Sequence, residues 1–409
     1  MASFGPTHGH ATRLRCIELT FDPHNFYQSA SNLAYSIHPE WCEKTGEIDV
    51  VQLMGGITNT LLKVTKRVPG RSQTDNDRDS VLIRAYGNGS DNFIDRDRDV
   101  ATHIVCAEYG FAPPLLARCK NGVLYRYIIG QTCTPQDLIT EPVWRAVAKH
   151  LGEWHARLPT NMAAEAKCAD PQSNKSRSDL SSKSPVLDIW AVMQRWTNAL
   201  PCASPAQKTQ KQLLQIELDR SFRHLVKASQ CGSESDRLVL GHCDLGSANI
   251  ILLPKDPAHD EVRVSFIDYE YAVPCPAAFD IANHFAEWAG YDCDYSALPT
   301  KSVRRRFLQY YLESFKAHCG EAPSPGLMLD ALFEEVDRYR GMPGLYGGLW
   351  ALLQAAVSQI NFDYTTLAEG RLGEYYAWRA EEDGSRARGG KDMPFRERRW
   401  AECQFFSQA

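Results

Sequence analysis

No Cys-x-x-Cys pair occurs in this chain, although it carries 13 cysteines. With an odd count and scattered spacing, that absence speaks against both a zinc site and a disulfide framework. No run of about 18 apolar residues is present, so no integral membrane segment is expected. Residues 1–15 lack the apolar stretch of a secretory leader. The thiols are therefore expected to be reduced, in a cytoplasmic protein. A basic excess is missing too: the formal net charge is −5 and the pI about 6.2, which is not the footprint of a nucleic-acid binder. No internal repeat is visible. What remains is an ordinary globular composition, 44% hydrophobic and 23% charged over 409 residues, long enough for two or three lobes around a large core.

The most informative stretch is His242-Cys243-Asp244-Leu245-Gly246-Ser247-Ala248-Asn249, followed by Ile267-Asp268-Tyr269-Glu270. Its spacing is that of a phosphotransferase catalytic loop. Asp244 can orient a substrate hydroxyl and accept its proton, while Asn249 and Asp268 can hold Mg²⁺ against nucleotide phosphates. Both candidate ligands end in hard oxygen, as Mg²⁺ prefers. Apolar runs flank the motif at Leu238-Val239-Leu240, Ile250 to Leu253 and Val262 to Ile267, with a turn at Pro254-Lys255-Asp256-Pro257. Asp and Asn also cap ordinary turns. The full set, in order on a loop, a hairpin and a strand end, favours the catalytic reading. Cys243 reads as a small buried filler, with oxidation of its thiol the less favoured alternative.

Residues 49–53, 60–64, 81–86, 115–118 and 123–129 have strand character, the last two meeting at Asn121-Gly122, a hairpin signal. Helical spacing is expected over Ile94 to Glu108, Trp144 to Leu158, Phe279 to Ala289, Lys301 to His318, Pro325 to Tyr339 and Leu345 to Phe362. Pro69 to Ser80 is polar and expected to be a long hairpin loop. The expected organisation is an α+β, kinase-like bilobal fold. Residues 1–128 form an N-terminal extension and a β-rich nucleotide-binding lobe. Residues 129–380 form a larger, mostly helical catalytic and substrate lobe, with a flexible insertion at about 166–185. Residues 381–409 form a flexible tail.

Other residues fall into place around the loop. Gly55-Gly56-Ile57-Thr58-Asn59, between two strands, can cradle phosphate oxygens, although an ordinary turn uses the same residues. Arg84 is a cation in the middle of an apolar strand. It either stays solvated on an edge or meets nucleotide phosphates and a helix carboxylate, with Asp99 the first candidate partner and Asp97 the second. Asp280 is expected to bond backbone amides beneath the catalytic loop. Glu287 with Trp288, Tyr291 and Tyr295 offers an acidic, aromatic surface suited to a small ammonium ion; a surface charge and a core cluster are the equally weighted alternatives. Trp350 is more often core than cage.

Together these segments resemble the choline/ethanolamine kinase family. Gly55 to Asn59 resembles its phosphate loop, and Val81 to Gly87 with Phe93-Ile94-Asp95-Arg96 its third strand and helix start. Gly110 to Pro114 with Asn121-Gly122 resembles its next hairpin. Phe266 to Tyr271, Phe279 to Glu287 and Asp294-Tyr295-Ser296 resemble its metal and substrate segments. The resemblance runs from about Gly55 to Phe362, and Ala289-Gly290 leans to its ethanolamine-specific branch. It implies a protein-kinase-like fold and transfer of the ATP γ-phosphoryl to ethanolamine, the first step of phosphatidylethanolamine synthesis by the nucleotide-activated route. A choline or dual-specificity kinase is the nearer alternative, and a catalytically silent binding protein the more distant one. The implied partner is a small amino alcohol. By the same resemblance Asp244 is the base, and Gly56, Thr58, Asn59 and Arg84 meet ATP. The resemblance also implies that Asn249 and Asp268 hold Mg²⁺, that Glu270 assists a second metal and that Glu287 faces the amine; Trp288, Tyr291 and Trp350 are the further substrate candidates, and His242 and Asp280 the structural ones at the site. Four departures stand out: Asp99 where the family carries Glu, Gly246 where choline kinases have Gln, Gly347 in place of a Trp, and Leu367 in place of a Tyr.

Overall fold

The computed structural model describes residues 14–43, 45–53, 59–87, 94–160, 188–229, 238–258, 261–319, 329–358 and 360–403. The residues ahead of the first strand, an extension by sequence, form helix α1 (Phe26–Ile37). The β-branched and leucine-rich runs that follow become five antiparallel strands: β1 (Glu47–Leu53), β2 (Asn59–Arg67), β3 (Val81–Tyr86), β4 (Leu115–Cys119) and β5 (Gly122–Arg126). Their order is β1-β2-β3-β5-β4. β3 is central and covered on both faces. Val81, Ile83 and Ala85 share a core with Leu62, Val64 and the α1 residues Ala30, Leu33 and Ala34. Leu82 turns the other way, towards Tyr125 and Val100. Side chains alternate along a strand, so Arg84 joins Leu82 on this second face. Leu61 of β2 and Val123 of β5 are its cross-strand neighbours.

Helix α2 (Gln73–Asp79) corrects the expectation of a long loop over Pro69 to Ser80. Ser72 caps it, its Oγ accepting from the Asp75 amide at 3.1 Å, and Lys63 of β2 reaches Asp77 at 2.6 Å. Its one buried residue is Asn76, so no apolar periodicity announced it. α3 (Arg96–Glu108) then crosses to the hairpin β4–β5.

The second lobe runs through β6 (Gln131–Thr132), α4 (Pro135–Leu138), α5 (Glu141–Arg157), α6 (Ile189–Ala199) and α7 (Pro205–Ser229). It continues through β7 (Leu238–Gly241), β8 (Ile250–Leu252), β9 (Val264–Phe266), β10 (Val273–Pro276) and α8 (Ala277–Glu287). The last helices are α9 (Lys301–His318), α10 (Leu329–Tyr339), α11 (Met342–Val357), α12 (Tyr364–Glu382), α13 (Ser385–Arg388) and α14 (Phe395–Ala401). β7 pairs with β10, and β6, β8 and β9 form a second small sheet. Trp144, Trp154, Phe266, Phe279, Phe285, Phe307 and Tyr375 belong to the core that supports them. Where α5 meets α9, a Cβ on Gly152 would lie 2.4 Å from the Tyr311 carbonyl oxygen, so only glycine permits that approach.

The C-terminal segment is not the expected flexible tail, at least as far as residue 403. Trp400 is buried; its indole N–H donates to Asp337 at 2.8 Å, and the Arg304 guanidinium lies 3.9 Å over its ring. Arg396, Glu397 and Arg399 are buried as well: Arg396 pairs with Glu397 at 2.6 Å, and Arg399 donates to the Leu298 carbonyl at 3.0 Å. Charge composition concealed this, because charges normally mark solvated surface. The expected insertion lies outside the described residues. No helix among the described residues is long and apolar enough to cross a membrane.

Candidate active site

The turn from β7 to β8 carries residues 242–249, and hydrogen bonds from below hold it. Asp280, in the first turn of α8, accepts from the His242 amide at 3.0 Å and the Cys243 amide at 2.7 Å. Its Oδ2 also lies 2.9 Å from His155 Nε2, and His155 Nδ1 lies 3.0 Å from the Tyr311 hydroxyl. With Asp280 ionised, Nε2 donates to it. Burial raises the Asp280 carboxyl, but His155 and these amides more than offset that and hold it below the ordinary value. Cys243 and Cys275 flank Asp280 in a buried trio, their sulfurs 3.9 Å apart. Both Asp280 oxygens are taken, so the trio is a brace and Cys243 a filler. His242 is buried and pushed down to about 4, hence neutral, and its Nε2 sits 3.0 Å from the Ile267 carbonyl. The loop is thereby tied to the strand end that carries Asp268.

The catalytic-loop residues converge there. The Ile267 amide donates to the Asn249 carbonyl at 3.0 Å, setting Asn249 beside Asp268. Asn249 Nδ2 donates to Asp244 Oδ2 at 2.9 Å and to the Asp244 carbonyl at 2.7 Å, which leaves its amide oxygen for the cavity. Cys243 and Asp268 adopt left-handed backbone, with φ of 61° and 64°, a conformation that costs energy and that clusters at functional sites. Arg84 donates to Asp268 at 2.6 Å and, through its other terminal nitrogen, to Asp99. The shorter Asp thus reaches, while Asp97 pairs with Arg118 instead. Arg84 Nε is buried with no hydrogen-bond partner among the described residues. Glu270 is not among the residues that line the cavity; its Oε2 accepts from Arg96 at 2.9 Å and from Asn59 at 3.1 Å. Gly56 and Thr58 lie outside the described residues.

A cavity of about 660 Å³ joins these groups to the substrate candidates. Arg84, Asp244, Asn249 and Asp268 line it together with Glu287, Trp288, Tyr291 and Trp350. Trp288 is nearly all core, its indole N–H 3.2 Å from His284 Nε2. Tyr291 is half exposed and edge-on to Phe362, at the rim. Trp350 donates to the Tyr271 hydroxyl at 2.8 Å. Gly347 and Leu367 line the same space, so two wall positions there carry no aromatic ring.

Negative charge is crowded here. Burial, then Glu287, Asp268 and Glu270, raise the Asp244 carboxyl well above its usual range. Burial, then Asp268, push Glu270 up to about 7. The hard oxygens of Asp244, Asn249 and Asp268, which line one cavity, fit a divalent cation of the magnesium class. Arg84 holds part of this set together. Removing one partner of a buried pair leaves an uncompensated charge, so Arg84→Met should cost about 3–5 kcal/mol of stability. Chemical denaturation followed by circular dichroism checks this; a loss below about 1 kcal/mol would mean that Asp99 and Asp268 do not depend on Arg84.

Comparison with known proteins gives the constellation its setting. The sequence profile of the choline/ethanolamine kinases matches residues 50–376. This chain belongs to the choline/ethanolamine kinase family. Among its relatives are a probable ethanolamine kinase of Nematostella vectensis, 29% identical over 88% of this chain and 95% of that protein, and ethanolamine kinase 1 of Mus musculus, 30% identical over 86% and 89%. Similar solved structures include an ethanolamine kinase of Plasmodium vivax, with a TM-score of 0.63 and 22% identity over 86% of this chain and 89% of that one. A choline kinase of Cryptosporidium parvum has a TM-score of 0.61 and 20% identity over 88% and 97%. The fold is therefore the protein-kinase-like α+β arrangement that these family members share.

Three residues of the site escaped the sequence reading. His155 sits in a helix where a lone His carries no signal of its own. Arg96 hides among the alternating charges of residues 95–99, yet it donates to Glu270. Arg371 lines the cavity and pairs with Glu287 at 3.2 Å. It lies one turn beyond Leu367, a position already known to face this region, and helical spacing from Leu367 would have found it.

Proposed function

We propose that this family member is an ethanolamine kinase, transferring the γ-phosphoryl of ATP to the ethanolamine hydroxyl and so opening the nucleotide-activated route to phosphatidylethanolamine. The supporting observation is that Asp244 and Glu287 share one cavity, so a short amino alcohol can present its hydroxyl to the first and its ammonium to the second. Asp244 is the base, oriented by Asn249 Nδ2. Asn249 and Asp268 hold Mg²⁺, which when bound neutralises the phosphate charge. Glu270 is a reserve ligand, available where Arg96 releases it. Arg84, with its spare Nε, meets a phosphate of ATP. The protein's part is alignment and charge stabilisation. Tyr291 and Trp350 give the ammonium aromatic faces, and Trp288 backs them from the core. The missing rings at Gly347 and Leu367 suit a primary ammonium, which donates hydrogen bonds, better than a quaternary one. The names of the relatives support the same substrate, and the absence of disulfides among the described cysteines accords with a cytoplasmic setting.

Glu287→Gln keeps the shape and removes the charge. A shielded charge-assisted contact contributes about 1.5–3 kcal/mol, so the KM for ethanolamine should rise about 10–100-fold while that for ATP stays within about twofold. Steady-state kinetics with each substrate varied will decide. An unchanged amine KM would remove Glu287 from the substrate site.

A further inference from the structure

Glu287 is the last residue of α8, and a side chain from α12 holds it. Arg371 is 4% exposed. Its Nη2 lies 3.2 Å from Glu287 Oε1 and 3.3 Å from the Gly290 carbonyl, and its Nη1 lies 3.5 Å from the Ala286 carbonyl. Carbonyls at a helix C-terminus lack intrahelical partners and favour a cation. The planar guanidinium therefore binds the helix end and the carboxylate as one unit. The other oxygen of Glu287 faces the opposite way. A Cβ on Gly246, two residues past Asp244, would lie 3.7 Å from Oε2. No hydrogen bond is made to Oε2 by the described residues, so it is exposed to the catalytic-loop side of the cavity.

Two further features fit. Arg371 also approaches Glu374, at 3.6 Å, so its charge is divided between two carboxylates and does not neutralise Glu287 alone. Glu374 in turn lies 3.7 Å from Arg396 of α14, which links the packed C-terminal segment to the site. The absent side chain at Gly347 makes the Arg371 stem the local wall, since a Cβ there would sit 3.5 Å from Arg371 Cγ.

We propose that Arg371 is the positioning residue of the amine subsite: it pins Glu287 through Oε1 so that Oε2 alone meets the substrate ammonium beside Asp244. This rests on Glu287 being the amine-facing carboxylate. Arg371 does not touch the reacting atoms. It sets where the ammonium is bound, and so how far the hydroxyl lies from Asp244.

Steady-state kinetics of the full chain with Mg·ATP test it. Arg371→Gln should raise the ethanolamine KM about tenfold or more, change kcat less, and leave the ATP KM within about twofold. Arg371→Lys, which keeps the cation but not the fork, should recover part of that loss. Because Arg371→Gln leaves Glu374 with Arg396 alone and can impair folding, Arg371→Gln with Glu374→Gln is measured alongside and should show the same KM change. An ethanolamine KM within twofold of the parent in either folded variant, while Glu287→Gln raises it, overturns the positioning role and leaves the amine site standing. Equal losses for ethanolamine and ATP also overturn it, since they mark a merely structural residue. If Glu287→Gln itself changes nothing, the amine-site reading fails first and this proposal with it.

Discussion

Asp244→Asn is expected to remove about 10²–10⁴-fold of turnover, the usual share of a positioned general base, while ATP binding stays near parental. The Asn can keep its oxygen towards Asn249 Nδ2, which now bonds Asp244 at 2.9 Å, and presents an NH₂ group that accepts no proton. Burial and three neighbouring carboxylates work against ionised Asp244, so its replacement relieves repulsion. The variant should melt no lower than the parent, and above it if the relief dominates. Loss of activity with retained stability and ATP affinity is the signature of the base. Single-turnover kinetics with a melting curve checks both; near-parental turnover would mean that another group takes the proton.

The second large effect is expected at Asp268. Asp268→Ala should weaken Mg·ATP binding and turnover together, by more than the roughly 10–100-fold typical of residues that only support a metal ligand. Part of the activity should return at high Mg²⁺, which Asp244→Asn cannot show. Arg84 also loses its 2.6 Å contact, so a modest fall in stability should accompany the change. A Mg²⁺ titration of nucleotide binding is the measurement. An unchanged Mg²⁺ dependence would place the metal away from Asp268, with Glu270 next to be tested.

The parts of this site that were legible in the sequence are those whose geometry is local. The catalytic loop spans eight residues from His242 to Asn249, and β8 and β9 then bring Asp268 beside it, so spacing alone carries the arrangement. Asp280 was readable for a similar reason, since it opens the helix beneath the loop. Spacing from Leu367 puts Arg371 on the cavity face of α12, but its contact with Glu287 depends on how α12 is rotated against α8, which that spacing does not encode. Residues 381–403 failed differently. Their charges look solvated until Arg340, in the turn between α10 and α11, and Glu374 of α12 supply partners from elsewhere in the chain. α2 was missed because a short polar helix held by a Ser72 cap has no apolar stripe to detect. The pairing of Arg84 with Asp99, the first candidate by sequence, rather than Asp97 follows from helix phase: Asp99 turns inward and Asp97 outward.

Substrate choice tests the account most directly. The purified chain with Mg·ATP should be assayed against ethanolamine, its mono-, di- and trimethylated forms and no acceptor, with product identified by phosphorus NMR. The account predicts acceptor-dependent formation of phosphoethanolamine, with kcat/KM falling at each added methyl group and lowest for choline, because the subsite offers one carboxylate oxygen and few aromatic faces. A higher kcat/KM for choline than for ethanolamine, or ATP turnover indifferent to any amino alcohol, would contradict it.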